Sequence, residues 1–118
     1  MVIVDSSVWI AHLRTGDVGL DELLDEDRVT CHPFIVGELA CGNLANRAEI
    51  LSLLKSLPST TCVEQEELLW FIENFKLMGK GLGFVDMHIL ASAMLAMTPV
   101  WTLDRRMGEV AAELGLGY

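Results

Sequence analysis

Two aspartates stand where a divalent cation could be bound. Asp5 directly follows the apolar run Val2–Val4, and Asp104 comes just after a second apolar run at 99–102. Both runs predict buried strands, and in an open α/β sheet ligands bind beyond the carboxyl ends of the strands. An aspartate between a strand and a helix is also an ordinary N-cap, so position alone leaves both roles open.

Two further acids belong to apolar segments. On a helix beginning at Pro33, the neighbours of Glu38 three and four positions away are apolar or small. Its carboxylate is therefore expected to be buried, and a buried charge must be paired or bound to a metal. Asp86 begins the segment 86–97, which is apolar nearly all round and typical of a helix buried between layers. A buried ion pair for Glu38 and an N-cap for Asp86 are the alternative roles.

Taken together, these four acids have few cationic residues near them in sequence. Clustered carboxylates repel one another unless a cation is present, and their hard oxygens suit Mg²⁺ or Mn²⁺. A structural zinc site would instead require cysteine or histidine. Bound metal ions of this kind activate water and stabilise the leaving oxygen of an in-line phosphoryl displacement. The acids therefore predict phosphodiester hydrolysis.

The elements that must position the acids alternate along the chain. Strands are predicted at Val2–Val4, 28–31, 59–63 and 99–102. Helices are predicted at 8–14 with Ser6 or Ser7 as cap, at 18–27, 33–43, between Asn46 and Pro58, and at 64–78, 86–97 and 105–114. This alternation predicts a three-layer α/β/α fold around a small, mainly parallel sheet of four to five strands.

Composition bounds the class of protein. The 118 residues predict one domain, 1–118, and 52% hydrophobic residues supply its core. No apolar run is long enough to span a bilayer, and the first residues lack a signal-peptide pattern, so a cytoplasmic protein is expected. The net charge of −9 argues against non-specific binding to duplex nucleic acid. It leaves either a basic partner or carboxylates that are neutralised by metal.

The ordered segments resemble the PIN-domain family, and specifically the VapC toxins of bacterial and archaeal toxin–antitoxin pairs. The matching segments lie at 2–10, 37–39, 83–93 and 101–106, in the family's order and spacing. The resemblance implies a compact α/β/α fold, a homodimer and Mg²⁺-dependent endoribonuclease activity on RNA. It also implies a cognate antitoxin whose basic C-terminal tail occupies the acidic groove.

The same resemblance assigns roles to individual residues. It implies that Asp5, Glu38 and Asp86 are the main metal-binding and catalytic acids and that Asp104 is the fourth. Two hydroxyl residues, Ser6 and Thr102, are expected to support them.

Other residues that could do chemistry have structural alternatives. The histidines His12, His32 and His88 are predicted to be structural or at the surface. The tryptophans Trp9, Trp70 and Trp101 could stack on RNA bases but are predicted to pack in the core or in an interface. His88 lies two residues from Asp86 and so faces away from it on a helix. The glycine-rich segment 79–83 lacks the Lys-Ser/Thr of a P-loop. Four cations near the active ends of elements are either phosphate contacts or solvated surface: Arg14, Lys80, Arg105 and Arg106.

Two further classes of function remain open at the level of sequence. A catalytically inactive PIN-like module could use the acidic groove to bind a basic peptide or protein, although such a module has no need to keep all four acids. A phosphatase of similar topology usually carries a second aspartate two residues after its nucleophile. Here Asp5 is followed by Ser6 and Ser7, which disfavours that class.

Overall fold

The fold is built around a small parallel sheet, and each strand is followed by a helix at its carboxyl end. The computed structural model describes residues 1–16 and 18–118. The strands are β1 (Val2–Val4), β2 (Val29–Thr30) and β3 (Val100–Trp101), in the order β2-β1-β3. The helices are α1 (Ser6–Thr15), α2 (Leu20–Asp25), α3 (Pro33–Ala40), α4 (Arg47–Ser56), α5 (Gln65–Asn74), α6 (Phe84–Ala96) and α7 (Arg105–Glu113). The predicted α/β fold with a parallel sheet is confirmed.

The central strand is apolar because both of its faces are covered. Val2, Ile3 and Val4 are all buried, as parallel strands covered on both faces require. Ile3 is in register with Thr30 on one side and with Val100 on the other. The amide of Asp5 donates to the carbonyl of Trp101 at 2.9 Å. The carboxyl ends of β1 and β3 are therefore held side by side.

The predicted strand at 59–63 is wrong, because only Ser59 pairs with the sheet. Ser59 forms an isolated parallel bridge with Cys31, and Gly117 forms another with Val100. Beyond that bridge the carbonyl of Thr61 accepts a hydrogen bond from Ser92 of α6, not from a strand. The described residues thus contain three regular strands instead of four to five, extended at each edge by a single bridge.

Helix ends differ from the predictions where capping decides them. Asp5, not Ser6 or Ser7, is the N-cap of α1, and its side chain accepts from the amide of Ser7 at 3.4 Å. The helix predicted from residue 86 begins at Phe84, with Gly83 as N-cap. The predicted helices at 18–27 and 64–78 are shorter, as α2 and α5. Within the described residues, no helix is both long and apolar enough to cross a membrane.

A buried histidine joins α3 to α6. His32 is fully buried, and its Nδ1 accepts from the amide of Phe34 at 2.9 Å, which caps α3. The Ser92 hydroxyl donates to the Thr61 carbonyl, so the 3.0 Å contact between His32 Nε2 and Ser92 Oγ has the ring as donor. The contact with Phe34 requires an unprotonated Nδ1, so the ring that makes both contacts is the neutral tautomer with its proton on Nε2. Burial, with a smaller contribution from His88, lowers the pKa of His32 to about 4.

Acidification should destabilise the fold through His32. The folded pKa lies below the unfolded value of about 6.5, so the unfolded chain binds the proton first and stability falls as pH drops from about 6.5 towards 4. Between pH 7.5 and pH 5 the loss is expected to be about 2 kcal/mol. Urea unfolding of wild type and His32→Asn at both pH values measures it. The variant should be less stable at pH 7.5 and should lose less on acidification. An equal loss in both proteins would contradict this role.

Candidate metal centre and its acids

Asp5 is buried at the centre of a hydroxyl network. Its Oδ2 accepts from Ser7 Oγ at 2.7 Å and from Thr102 Oγ1 at 2.8 Å. The two hydroxyls in turn accept from the backbone amides of Leu103 and Asp104, each at 3.0 Å. This network ties the end of β1 to the loop between β3 and α7 and holds the Asp5 carboxylate in one orientation.

The same network leaves one oxygen of Asp5 available. In the part of the chain that the structure describes, every hydrogen bond to the Asp5 side chain ends on Oδ2. A carboxylate fixed through one oxygen can present the other to a cation without losing its support. Ser7, which sequence reasoning treated only as a helix cap, is therefore a positioning residue. Its signal was its place two residues after an acid that ends a strand.

Glu38 lies at the open edge of the site, so the expectation that it is buried is wrong. Its Oε1 accepts from Ser6 Oγ at 3.1 Å, and the residue is exposed. It belongs to the last turn of the short helix α3, and its neighbours Gly37 and Gly42 have no side chains to cover it. No lysine or arginine among the described residues forms an ion pair with it. The alternative of a buried ion pair is thereby excluded for the described residues.

Asp86 and Asp104 each occupy the first turn or cap of a helix. Asp86 Oδ2 accepts from the amide of Gly83 at 3.2 Å, and Asp104 Oδ1 accepts from the amide of Met107 at 2.9 Å. Helix N-termini favour negative charge, so an acid is a suitable residue at both positions. The ordinary capping role and a role in a metal site therefore coexist in these residues.

Repulsion links the four acids. Partial burial raises the pKa of Asp86; the Gly83 amide opposes this, and the charges of Asp5 and Asp104 raise the pKa further. Partial burial also raises the pKa of Glu38; the Ser6 hydroxyl opposes this, and Asp5 and Asp86 add to the increase. Asp86 thus lies within electrostatic range of the other three acids, and Glu38 lies within range of Asp5. None of them forms an ion pair with a described residue.

The oxygen atoms of these acids and hydroxyls are chemically suited to bind a hard divalent cation. Four carboxylates with supporting hydroxyls are ligands that Mg²⁺ and Mn²⁺ prefer. Within residues 1–16 and 18–118, no three acidic, histidine or cysteine side chains already stand at metal-binding spacing. Asp86 and Asp104 are each held through one carboxylate oxygen at a helix end, which leaves the other oxygen without a hydrogen bond from a described residue.

The histidines lie apart from the acids. His88 is buried, and its ring makes edge contacts with Phe34 and Phe84, both at 4.6 Å between centroids. Burial lowers the pKa of His88. His12 lies 3.6 Å from Asp21. With His32 in the core, the structure places all three in packing or surface positions.

The tryptophans occupy three different environments. Trp9 is buried, and Trp101 packs against Tyr118 at 5.5 Å between ring centroids. Trp70 is 63% exposed and therefore does not pack in the core. It lines an apolar groove between α5 and α6 with Phe71, Phe75 and Leu95. Its packing in an interface stays a prediction.

Comparison with known proteins decides the family. The model of the family described as PIN domain matches residues 2–113. The chain belongs to the PIN-domain family. This PIN domain is 41% identical over 117 residues to Ribonuclease VapC32 of Mycobacterium tuberculosis, in strain CDC 1551 / Oshkosh and in strain H37Rv. The match covers 98% of the chain and 94% of each relative, which supports its place among VapC-type PIN proteins.

A solved structure confirms the fold independently. The PIN domain resembles the crystal structure of PAE2754 from Pyrobaculum aerophilum with a TM-score of 0.66 and 15% identity. The superposition covers 97% of this chain and 94% of the other. At this identity the likeness concerns the fold alone.

Proposed function

We propose that this PIN domain is a Mg²⁺- or Mn²⁺-dependent endoribonuclease and the toxin of a VapBC-type pair. The observation that carries the proposal is a group of four acids that are linked by repulsion through Asp86 and that no described cation neutralises: Asp5, Glu38, Asp86 and Asp104. A likeness of 41% to a protein named as a ribonuclease supplies the substrate class.

The proposed division of labour follows from the contacts of each acid. A divalent ion, when bound, supplies a Lewis acid that activates water and offsets the charge developing on the phosphate. Ser7 and Thr102 hold Asp5 through Oδ2, so that its Oδ1 points away from the hydroxyl network. Ser6 holds Glu38 through its Oε1. These hydroxyls fix the carboxylates in advance and so lower the cost of organising them around a cation.

The proposal includes two protein partners. A cognate antitoxin with a basic C-terminal tail would neutralise the acidic cleft, since opposite charges favour that encounter. A homodimer would cover part of the apolar surface, because Trp70 and Leu95 are 63% and 62% exposed and flank one groove. Both partners are consistent with a net charge of −9 in a chain that is half apolar.

RNA cleavage should depend on the metal. The purified protein is incubated with a labelled single-stranded RNA in Mg²⁺, in Mn²⁺ and in EDTA, and cleavage is followed by gel electrophoresis. We expect cleavage with either ion and none in EDTA, because without a cation the four acids repel the phosphate backbone. Equal cleavage in EDTA would contradict the proposed mechanism.

An inactive binding module is the second candidate. It would bind a lysine- or arginine-rich peptide in the same cleft and leave RNA intact in every buffer. Tight peptide binding together with no cleavage in Mg²⁺ or Mn²⁺ would favour that class over the nuclease.

A further inference from the structure

The structure separates the cations near the acids into paired and unpaired side chains. Lys80 Nζ lies 3.7 Å from Glu113, and Arg105 Nε donates to Glu109 at 3.0 Å. Arg106, the next residue, has no acidic partner among the described residues. An arginine that no acid neutralises, in a chain of net charge −9, keeps its full charge available for an anion.

Arg106 is placed by direct contact with a glycine. A Cβ added at Gly81 would lie 2.7 Å from Arg106 Nη1, 2.9 Å from Cδ and 3.2 Å from Cζ. The guanidinium therefore lies against Gly81, and a Cβ at this position would require the end of the Arg106 side chain to shift. Gly81 also has a φ of +81°, which side chains rarely adopt. Both features favour glycine at this position.

The arginine shares a polar cleft with one of the site acids. Gly81 and Arg106 line this cleft with Asp104, Arg105 and Glu109. Asp104 is one of the four site acids and also lines this cleft. Asp86 lies within electrostatic range of Asp104. A phosphate bound at Arg106 would therefore be next to the acids without occupying their cation site.

We propose that Arg106, placed by Gly81, binds a backbone phosphate of the RNA on the Asp104 side of the acidic site. The inference builds on the proposed ribonuclease function and adds a residue that positions the substrate. Arginine suits this task because its planar donors match phosphate oxygens in a bidentate contact. The neighbouring Arg105 is not assigned this role, because its Nε already donates to Glu109 in an exposed ion pair.

RNA binding by charge-matched variants tests the assignment. Arg106→Ala and Arg105→Ala change the net charge equally, and both are made in an Asp5→Asn background so that RNA is not cut. Affinity for a fluorescent single-stranded RNA is measured by anisotropy in Mg²⁺ at several salt concentrations. Arg106→Ala should weaken binding about five- to tenfold and reduce the salt slope by about 0.7, the value of one lost phosphate contact. Arg105→Ala should change affinity less than about twofold.

A pair of glycine variants tests the placement. Gly81→Ala should displace the guanidinium and weaken binding, by a smaller factor than Arg106→Ala, whereas Gly79→Ala should not. Gly79 has a similar φ of +73° but open space around its missing Cβ, so it reports the backbone strain alone. In an Arg106→Ala background, Gly81→Ala should cause no further loss of affinity, because its partner is already gone.

Cleavage kinetics distinguish a role of Arg106 in substrate binding from a role in stabilising the segment 79–83. With the acids intact, Arg106→Ala should raise KM and leave kcat nearly unchanged, and Arg106→Lys should keep the salt slope. A fall in kcat alone, unchanged affinity, or an equal loss in Arg105→Ala would overturn the assignment while leaving the ribonuclease proposal intact. If the wild-type protein neither binds nor cleaves RNA, the proposed function fails and the assignment fails with it.

Discussion

Replacing Asp5 with asparagine should reduce RNA cleavage by several orders of magnitude while the fold survives. Asparagine can still accept from Ser7 and Thr102 through its oxygen. Its NH₂ group then takes the place of the free carboxylate oxygen and presents donors to the position of the cation. Loss of one ligand charge in a preorganised site lowers the rate about 10²-fold or more. The NH₂ donors lower it further, because they direct hydrogens at the cation. The unfolding free energy should stay within about 1 kcal/mol of wild type.

A matched aspartate separates this effect from a general change of charge. Asp25→Asn makes the same replacement at an exposed position at the end of α2 and should cleave at the wild-type rate. Asp86→Asn and Glu38→Gln should behave like Asp5→Asn, whereas His88→Ala should retain activity per folded molecule because its ring packs between Phe34 and Phe84. Wild-type cleavage by Asp5→Asn, purified in the same way, would refute the site and indicate a contaminating nuclease.

Manganese should stabilise the folded chain strongly, and this effect does not depend on RNA. At an ion concentration of about 100 times Kd, binding to the native state alone adds about 2.7 kcal/mol, or roughly 10 °C in melting temperature. Thermal unfolding followed by circular dichroism in Mn²⁺ and in EDTA measures the difference. Asp86→Asn should lose most of the response, and Asp25→Asn should keep it.

The metal-free protein should show the opposite pH trend at the acids. The folded pKa values of Glu38 and Asp86 are raised, so the native state holds these protons more tightly than the unfolded chain. Their contribution to stability is therefore present at low pH and is lost as pH rises from about 4 through the folded values. In EDTA at pH 7.5, Asp86→Asn should be at least as stable as wild type, and that advantage should shrink towards pH 4. A variant that is less stable in EDTA and still responds to Mn²⁺ would contradict the electrostatic interpretation.

The parts of the fold and site that follow from local chemistry could be predicted from the sequence. Apolar β-branched runs followed by aspartate located β1, the end of β3 and the acids Asp5 and Asp104. Pro33 correctly marked the start of α3. These features depend on neighbouring residues and on rules for helix ends, so one sequence contains them.

What could not be predicted depends on contacts between distant segments. Glu38 lines a groove with Ile10 and Leu13 of α1, a tertiary arrangement that no local pattern specifies. The strand predicted at 59–63 does not continue beyond Ser59, because the carbonyl of Thr61 accepts a hydrogen bond from Ser92 of α6 instead of from a strand. Ser7 and Thr102 hold the same oxygen of Asp5, although they are 95 residues apart in sequence. Tertiary context overrides β-propensity in such cases.

The order in which the paired strands are synthesised decides which incomplete chains could be toxic, if the proposed function holds. β1 is made before its partner β3, and the Thr102 hydroxyl that fixes Asp5 follows that acid by 97 residues. A nascent chain that stops before residue 102 lacks both this support and the acid at position 104. If the proposed function holds, every truncated product shorter than that is harmless to the cell that makes it, and toxicity begins only after Asp104 has been added.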